Sequence, residues 1–113
     1  MTDEMIIRQE GAAGFLTLNR PKAIHALTQA MDHAMTEALL AWRNDPAVQV
    51  VIIDHSEGRG FCAGGDIAFL RNSALNDGGK SGLKFFYEEY QLNHLLMTYP
   101  KPVVAFMDGI TMG

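Results

Sequence analysis

At 113 residues and 48% hydrophobic content, the chain can form one domain with a modest core, and its composition excludes disorder or an apolar run able to cross a membrane as a helix. A net charge of -4 gives no electrostatic basis for nucleic-acid binding. The single cysteine, Cys62, excludes an internal disulfide framework and suits a reducing compartment, and the acidic start Met1-Thr2-Asp3-Glu4 carries no signal or transit pattern. The expected setting is the cytoplasm.

Met5–Arg8 and Gly14–Asn19 predict two strands of a hairpin, joined through Gln9-Glu10-Gly11 and ended by Pro21. Alternation of Phe15 and Thr17 against Leu16 and Leu18 suits a sheet covered on at least one face. Thr28 is the expected cap of a helix on which Met31, Met35, Ala38, Leu39 and Trp42 form one core-facing stripe. Asn44-Asp45-Pro46 ends that helix, and Val48–Ile53 follows as a buried strand. Two strands, a helix and another strand make a ββα unit.

The strand runs into Gly58–Ile67, the most informative stretch. Gly58, Gly60, Gly64 and Gly65 strip the backbone of side chains, and Asp66 stands where it could cap a helix from Ile67. Phosphate binding fits poorly. The spacing Gly58-x-Gly60-x-x-x-Gly64 is one residue too long for a dinucleotide fingerprint, and Asp66 stands where a P-loop needs lysine. Two alternatives remain: a loop whose amides stabilise a developing oxyanion, or a tight strand-to-helix turn with no ligand. Cys62, between Phe61 and Ala63, is more simply a small core side chain than a nucleophile, because no base identifies itself.

The polar, glycine-containing segment between Arg71 and Ser81 predicts a mobile loop, either a lid over the glycine-rich stretch or a plain linker. Gly82–Thr98 predicts a helix whose adjacent acids differ. Glu88 follows Lys84 by four residues, as on a solvated face, whereas Glu89 shares its row with Phe85, Phe86 and Leu92. A carboxylate on an apolar row is costly unless paired or used, so Glu89 is expected to face a site. The alternatives for Glu89 are a backbone-bonded buried side chain or one that snorkels outward. The last stretch, Val103–Gly113, looks like a buried strand and turn, and predicts a chain cut within its fold. Four histidines and one cysteine show no metal-ligand spacing, so no metal is expected.

Phe61-Cys62-Ala63-Gly64-Gly65-Asp66-Ile67 resembles the signature loop of the crotonase (enoyl-CoA hydratase/isomerase) superfamily. Asn19–Leu27 is similar to that family's Asn-Arg-Pro-Lys-Ala-Leu-Asn-Ala-Leu, departing at Ile24 and His25. The resemblance implies an α/β fold, the crotonase-like ββα superhelix, of which residues 1–113 would be the N-terminal part of a single domain. It implies that the Gly65 amide donates to the thioester oxygen of an acyl-CoA, with Gly64, Asp66, Ile67 and Gly113 around the acyl group. Lys22, Ala23, Ile24, Ala26 and Ala63 would lie beside coenzyme A. His25 replaces an asparagine that shapes the family's turn and receives no chemical role.

Phe85-Phe86-Tyr87-Glu88-Glu89-Tyr90, with Lys101–Ala105 and Gly109–Gly113, is similar to the 3-hydroxyisobutyryl-CoA hydrolase branch, in which the second glutamate contacts substrate and so matches Glu89. The implied reaction is hydrolysis of a short 3-hydroxyacyl-CoA in valine breakdown. The branch's second oxyanion amide would follow Gly113, and its principal catalytic glutamate and a neighbouring aspartate lie further on. The alternatives are enoyl-CoA hydration or isomerisation, and a CoA-binding piece with no turnover. No cofactor is expected beyond coenzyme A as part of the substrate. The expected partner is the acyl-CoA, with no nucleic acid or membrane, and with self-association through exposed apolar surface.

Overall fold

A computed structural model describes residues 2–113. Strands β1 (Met5–Glu10) and β2 (Ala13–Leu18) form an antiparallel hairpin, with Met5 opposite Leu18 and Glu10 opposite Ala13. Helix α1 (Gln29–Trp42) then crosses to β3 (Val50–His55), which lies parallel to β2, with Leu16 beside Ile53. After β4 (Gly60–Cys62) come α2 (Ile67–Asn76) and α3 (Lys80–Met97). Strand β5 (Val103–Ala105) joins β3 in parallel, giving the sheet order β1-β2-β3-β5. A second, two-stranded sheet pairs β4 with β6 (Ile110–Thr111).

Alternation sorts the main sheet. Leu16 and Leu18 of β2 and Val51 and Ile53 of β3 are buried on α1, which presents Met31, Met35, Leu39 and Trp42. Trp42 packs where a β-carbon on Gly14 would lie 2.7 Å from its ring, so the bare strand position makes room for the indole. The opposite face is partly polar: Arg8 Nη1 donates to Thr17 Oγ1 at 2.9 Å, and Thr17 Oγ1 donates to Asp54 Oδ1 at 2.6 Å.

Thr28 caps α1 as expected, its Oγ1 accepting the Met31 N–H at 3.2 Å. At the other end the Lys101 ammonium donates to the carbonyls of Trp42 and Asp45, placing a cation on the negative pole of α1. Strand limits move slightly: β1 runs on to Glu10, and Val48 is buried just before β3 begins at Val50.

The segment after Arg71 differs from expectation. Residues 72–76 continue α2, and only Asp77-Gly78-Gly79 turns before α3. Ser73 is buried and its Oγ accepts the Gly82 N–H at 2.7 Å while donating to Asp77 Oδ1 at 2.7 Å; the Ser81 hydroxyl also donates to Asp77. Packing of α2 on α3 overrides the weak helix preference of Asn and Ser. Gly79, with φ +86°, forms the left-handed entry to α3, which begins two residues before the expected Gly82.

Candidate active site

The glycine-rich loop is held from below by the segment after β2. Pro21–Ala23 forms one 3-10 turn, after which Ile24 and His25 both adopt left-handed backbone, with φ +52° and +53°. Two such residues in succession are strained unless their surroundings fix them. His25 is wholly buried: Nδ1 accepts the Arg20 N–H at 2.9 Å, and Nε2 donates to the Glu57 carbonyl at 2.8 Å. Both ring nitrogens are thus engaged in shaping the turn.

That turn lays residues 24–27 alongside 63–66. Ala63 N–H donates to Ile24 O at 2.9 Å, Leu27 N–H to Gly64 O at 2.7 Å, and Asp66 N–H to Leu27 O at 3.0 Å. Gly64 N–H points to Cys62 Sγ at 3.4 Å. Among the described residues, the Gly65 N–H has no acceptor. The bonded amides fix the loop, and the Gly65 amide remains free for a ligand.

Asp66 caps α2, its Oδ1 accepting Ala68 and Phe69 N–H at 3.1 and 3.4 Å, while Oδ2 lies 3.4 Å from Arg20 Nη1. Its charge is thereby turned to the helix terminus and a guanidinium rather than to a carbonyl ligand. Arg20 also donates to Ala26 O at 2.7 Å and pairs with Glu4 at 3.2 Å, so one side chain braces three segments. The sequence offered no signal for that role.

Helix α3 closes the other side. A β-carbon placed on Gly65 would lie 3.3 Å from Phe85 Cε2 and 3.5 and 3.6 Å from the two Glu89 carboxylate oxygens. Burial raises the Glu89 pKa above the usual carboxylate range. Glu88 does not sit on a solvated face with Lys84, as its spacing had predicted. It crosses to α1, where its oxygens accept from Gln29 Nε2 at 2.7 Å and from the His33 ring. The hydrogen bond from His33 is the main reason its pKa is lowered, with Gln29 adding to it against some desolvation.

The structure therefore brings Gly64, Gly65, Asp66, Ala63, Ile24, Ala26 and Glu89 together. Gly113 joins them, because a β-carbon on Gly64 would lie 2.8 Å from Gly113 Cα. Ile67 is 75% exposed at the start of α2. Lys22 and Ala23 line, with Arg20 and Pro21, a shallow surface concavity of about 340 Å³ beside the loop. A larger concavity of about 780 Å³ lies between β1 and α1, lined in part by Ile7, His33 and Trp42, and includes none of these residues. The site is better located by its free amide and half-buried carboxyl than by volume.

Cys62 is buried, donates to His25 O at 3.4 Å, and has its thiol pKa pushed up, chiefly by desolvation. A thiol so held is a packing group. One residue was missed. Asp32 lies on the buried stripe of α1, 1% exposed, with neither carboxylate oxygen hydrogen-bonded. Its pKa rises to about 7, first from desolvation and then from Glu89, with Glu88 adding to the rise and His33 opposing it. Its signal was a lone acid interrupting Met31 and Met35.

A profile of the enoyl-CoA hydratase/isomerase family matches residues 13–113. The chain belongs to that family. Family membership agrees with the fold. A carnitinyl-CoA dehydratase structure from Mycobacterium thermoresistibile superposes with a TM-score of 0.93 at 46% identity, covering 99% of this chain and 33% of that one. The crotonase-like α/β fold implied by the glycine loop is thus shown. Mitochondrial 3-hydroxyisobutyryl-CoA hydrolase of Xenopus tropicalis is 46% identical over 114 residues, 97% of this chain and 28% of the relative. Small ribosomal subunit protein mS47 of Neurospora crassa is 44% identical over 98 residues, 85% of this chain and 19% of that protein. The chain accordingly spans under a third of the length of these relatives.

Among the described residues no helix is long and apolar enough to cross a membrane, and no group of three His, Cys, Asp or Glu could hold a metal ion.

Proposed function

We propose that the Gly65 amide and the Glu89 carboxyl form the thioester end of an acyl-CoA site, and that the protein hydrolyses a short 3-hydroxyacyl-CoA. The expected substrate is 3-hydroxyisobutyryl-CoA, which places the reaction in valine breakdown. The observation that carries this is the unbonded Gly65 N–H, set between the engaged amides of Gly64 and Asp66 and beside a half-buried carboxyl.

In this reaction an oxygen nucleophile adds to the thioester carbon and negative charge gathers on the former carbonyl oxygen. Collapse breaks the C–S bond and releases coenzyme A. An N–H held in place before charge develops stabilises the oxyanion without reorganising, and removing one such donor costs about 10²–10³ in rate. Glu89 would orient the acyl portion, and Gly64, Asp66, Ile67 and Gly113 would shape its surroundings. The backbone of Lys22, Ala23, Ile24 and Ala26, with Ala63, would lie along the CoA arm, which enters as part of the substrate. Hydrolases of this name among the relatives support the reaction class.

A second reaction, hydration or dehydration of an acyl-CoA, is favoured by the dehydratase structure, which is as similar in sequence as the hydrolase relative. Both reactions use a polarised thioester carbonyl and diverge at the bond that breaks. A cytoplasmic location is our expectation, with the mitochondrial location in the relatives' names as the alternative. Self-association is expected where Val104, Phe106, Met107, Ile110 and Met112 expose apolar surface.

The deciding experiment supplies the full-length product of the encoding gene with 3-hydroxyisobutyryl-CoA and with crotonyl-CoA, following free thiol and hydration separately. Thiol release from the hydroxyacyl thioester, weakened by Glu89→Ala, supports hydrolysis. Hydration without thiol release transfers the protein to the second reaction. No turnover of either leaves a binding role.

A further inference from the structure

The turn that supports the glycine loop is itself held by one side chain. His25 is 0% exposed and has φ +53°, directly after Ile24 at φ +52°, and L-residues keep such a pair only where the surroundings fix it. The fixing bonds are made by its amide and its ring. Arg20 N–H donates to Nδ1 at 2.9 Å, and His25 N–H donates back to Arg20 O at 2.9 Å, closing the turn from residue 20 to residue 25. Nε2 lies 2.8 Å from the carbonyl of Glu57, two residues past the end of β3. A backbone amide can only donate and a carbonyl can only accept, so the ring carries its one proton on Nε2.

The turn reaches Gly65 through Leu27. Leu27 bridges Gly65 in parallel register, its N–H donating to Gly64 O at 2.7 Å and its carbonyl accepting the Asp66 N–H at 3.0 Å. The carbonyl of Gly64 and the N–H of Gly65 belong to one peptide unit, which is planar and trans, so the two point in opposite directions. Anchoring that carbonyl on Leu27 therefore aims the Gly65 N–H away from residue 27, into the space where no acceptor meets it. The same bond polarises the peptide and strengthens the N–H as a donor. Ile24 O, which accepts the Ala63 N–H at 2.9 Å, and His25 O, 3.4 Å from Cys62 Sγ, fix the approach to Gly64.

We propose that His25 is a positioning residue for the oxyanion donor: its Nε2-protonated imidazole pins residues 20–25 so that Leu27 holds the Gly64–Gly65 peptide and aims the Gly65 N–H at the thioester oxygen. The proposal rests on Gly65 belonging to the acyl-CoA site. His25 is enclosed and acts only through this backbone. An N–H fixed before charge develops acts chiefly on the transition state, so a loosened turn lowers kcat more than it raises KM.

The test has an arm that does not depend on turnover. Long-range proton–nitrogen correlation spectra of the full-length gene product, isotope-labelled in histidine, report the tautomer of each ring, and the His25 signals are assigned by their contact with the Arg20 amide. The expected result is a single neutral tautomer protonated at Nε2. A ring protonated at Nδ1, or one exchanging between tautomers, overturns the proposal, and this is read on wild type alone. Glycine labelled at its carbonyl carbon and nitrogen then isolates the Gly-Gly peptides, Gly64–Gly65 and Gly78–Gly79 among them. In His25→Phe, which fills the space without either ring bond, the Gly65 amide resonance is expected to move while that of Gly79 stays. A Gly65 resonance unmoved in the folded variant overturns the proposal.

The second arm follows CoA release from 3-hydroxyisobutyryl-CoA. His25→Asn tolerates left-handed backbone and presents an oxygen to the Arg20 N–H, so its kcat is expected to stay within about threefold of wild type. His25→Phe is expected to lose about tenfold or more in kcat with KM within about threefold. Where His25→Phe does not fold, His25→Gly, which accepts the backbone but lacks both ring bonds, takes its place in both arms with the same expected results. Wild-type kcat in a folded Phe or Gly variant, or a loss in Asn as large as theirs, overturns the positioning role. If wild type releases no CoA from any acyl-CoA, the hydrolase assignment fails by itself, and the spectra still decide whether His25 sets the Gly65 amide.

Discussion

Gly64 and Gly113 meet backbone to backbone: a β-carbon on Gly64 would lie 2.8 Å from Gly113 Cα, and one on Gly113 would lie 2.5 Å from Gly64 Cα. Both residues also have φ in the left-handed region, +90° and +99°. Neither position tolerates a side chain without moving a backbone. Gly64→Ala is expected to lower stability by about 1–3 kcal/mol through strain alone, with more from the clash. A urea midpoint measured beside that of wild type checks it, and an unchanged midpoint would contradict the packing.

Gly65→Ala is the contrasting case. Its backbone is unstrained for L-residues, and the nearest atoms, in Phe85 and Glu89, belong to side chains that can yield by a few tenths of an ångström. Stability is expected to change by under about 1 kcal/mol. The added methyl nevertheless occupies the space between the free amide and the Glu89 carboxyl. Thiol release should fall by about 10²-fold, as for a misplaced reacting group. A Gly65→Ala variant with wild-type turnover would remove Gly65 from the site.

Asp32 gives the fold a pH dependence of definite sign. Its carboxyl loses its proton near the ordinary aspartate value of 3.8 when unfolded and at about 7 when folded. The folded state therefore binds the extra proton between those values, and stability falls as pH rises through that window, then levels above it. Asp32→Asn should remove this slope. The variant is expected to be more stable than wild type by on the order of 2–4 kcal/mol at pH 8, a gain that vanishes below about pH 4. Paired denaturant titrations at the two pH values measure it.

Cys62→Ala tests the thiol. Sγ accepts from Gly64 N–H and donates to His25 O, so its loss should cost about 1–2 kcal/mol. Turnover should stay within about threefold, because a buried thiol whose pKa is raised supplies little thiolate. Abolished turnover in a folded variant would reinstate the nucleophile.

Much of the scaffold was legible because it is written locally. The Thr28 cap and the stripe Met31, Met35, Ala38, Leu39 and Trp42 follow from helical spacing alone, and all five are buried. Asp66 announced its helix by standing just before an apolar start. The apolar row of Glu89 singled it out from Glu88, and its carboxylate oxygens lie beside the glycine loop.

What escaped depends on partners distant in the chain. Glu88 was assigned to a solvated face because Lys84 lies four residues before it, yet its partners Gln29 and His33 lie on α1. Residues 72–76 look like a loop until Gly82 gives Ser73 a buried hydrogen bond. The left-handed pair Ile24 and His25 has no local signature, since two non-glycine residues take that conformation only when both imidazole nitrogens find distant partners. Asp32 was passed over because a helical stripe survives one interruption, and only packing reveals that the interruption is buried.

The adjacent glutamates of α3 also bear on how the helix tolerates insertions and deletions. Neighbouring helical positions are turned by about 100°, so a one-residue slip at the Asp77–Gly79 turn would carry one of Glu88 and Glu89 onto the other's face. Because the two residues are identical, a slip in one direction would still leave a glutamate facing Gly65, and in the other a glutamate facing α1. The acids alone are therefore a poor lock on alignment. Phe85 and Leu92, 0% and 2% exposed, are the positions such a slip would drag out of the interior. Hydrophobic anchoring, more than the chemistry of the carboxyls, keeps the helix in frame.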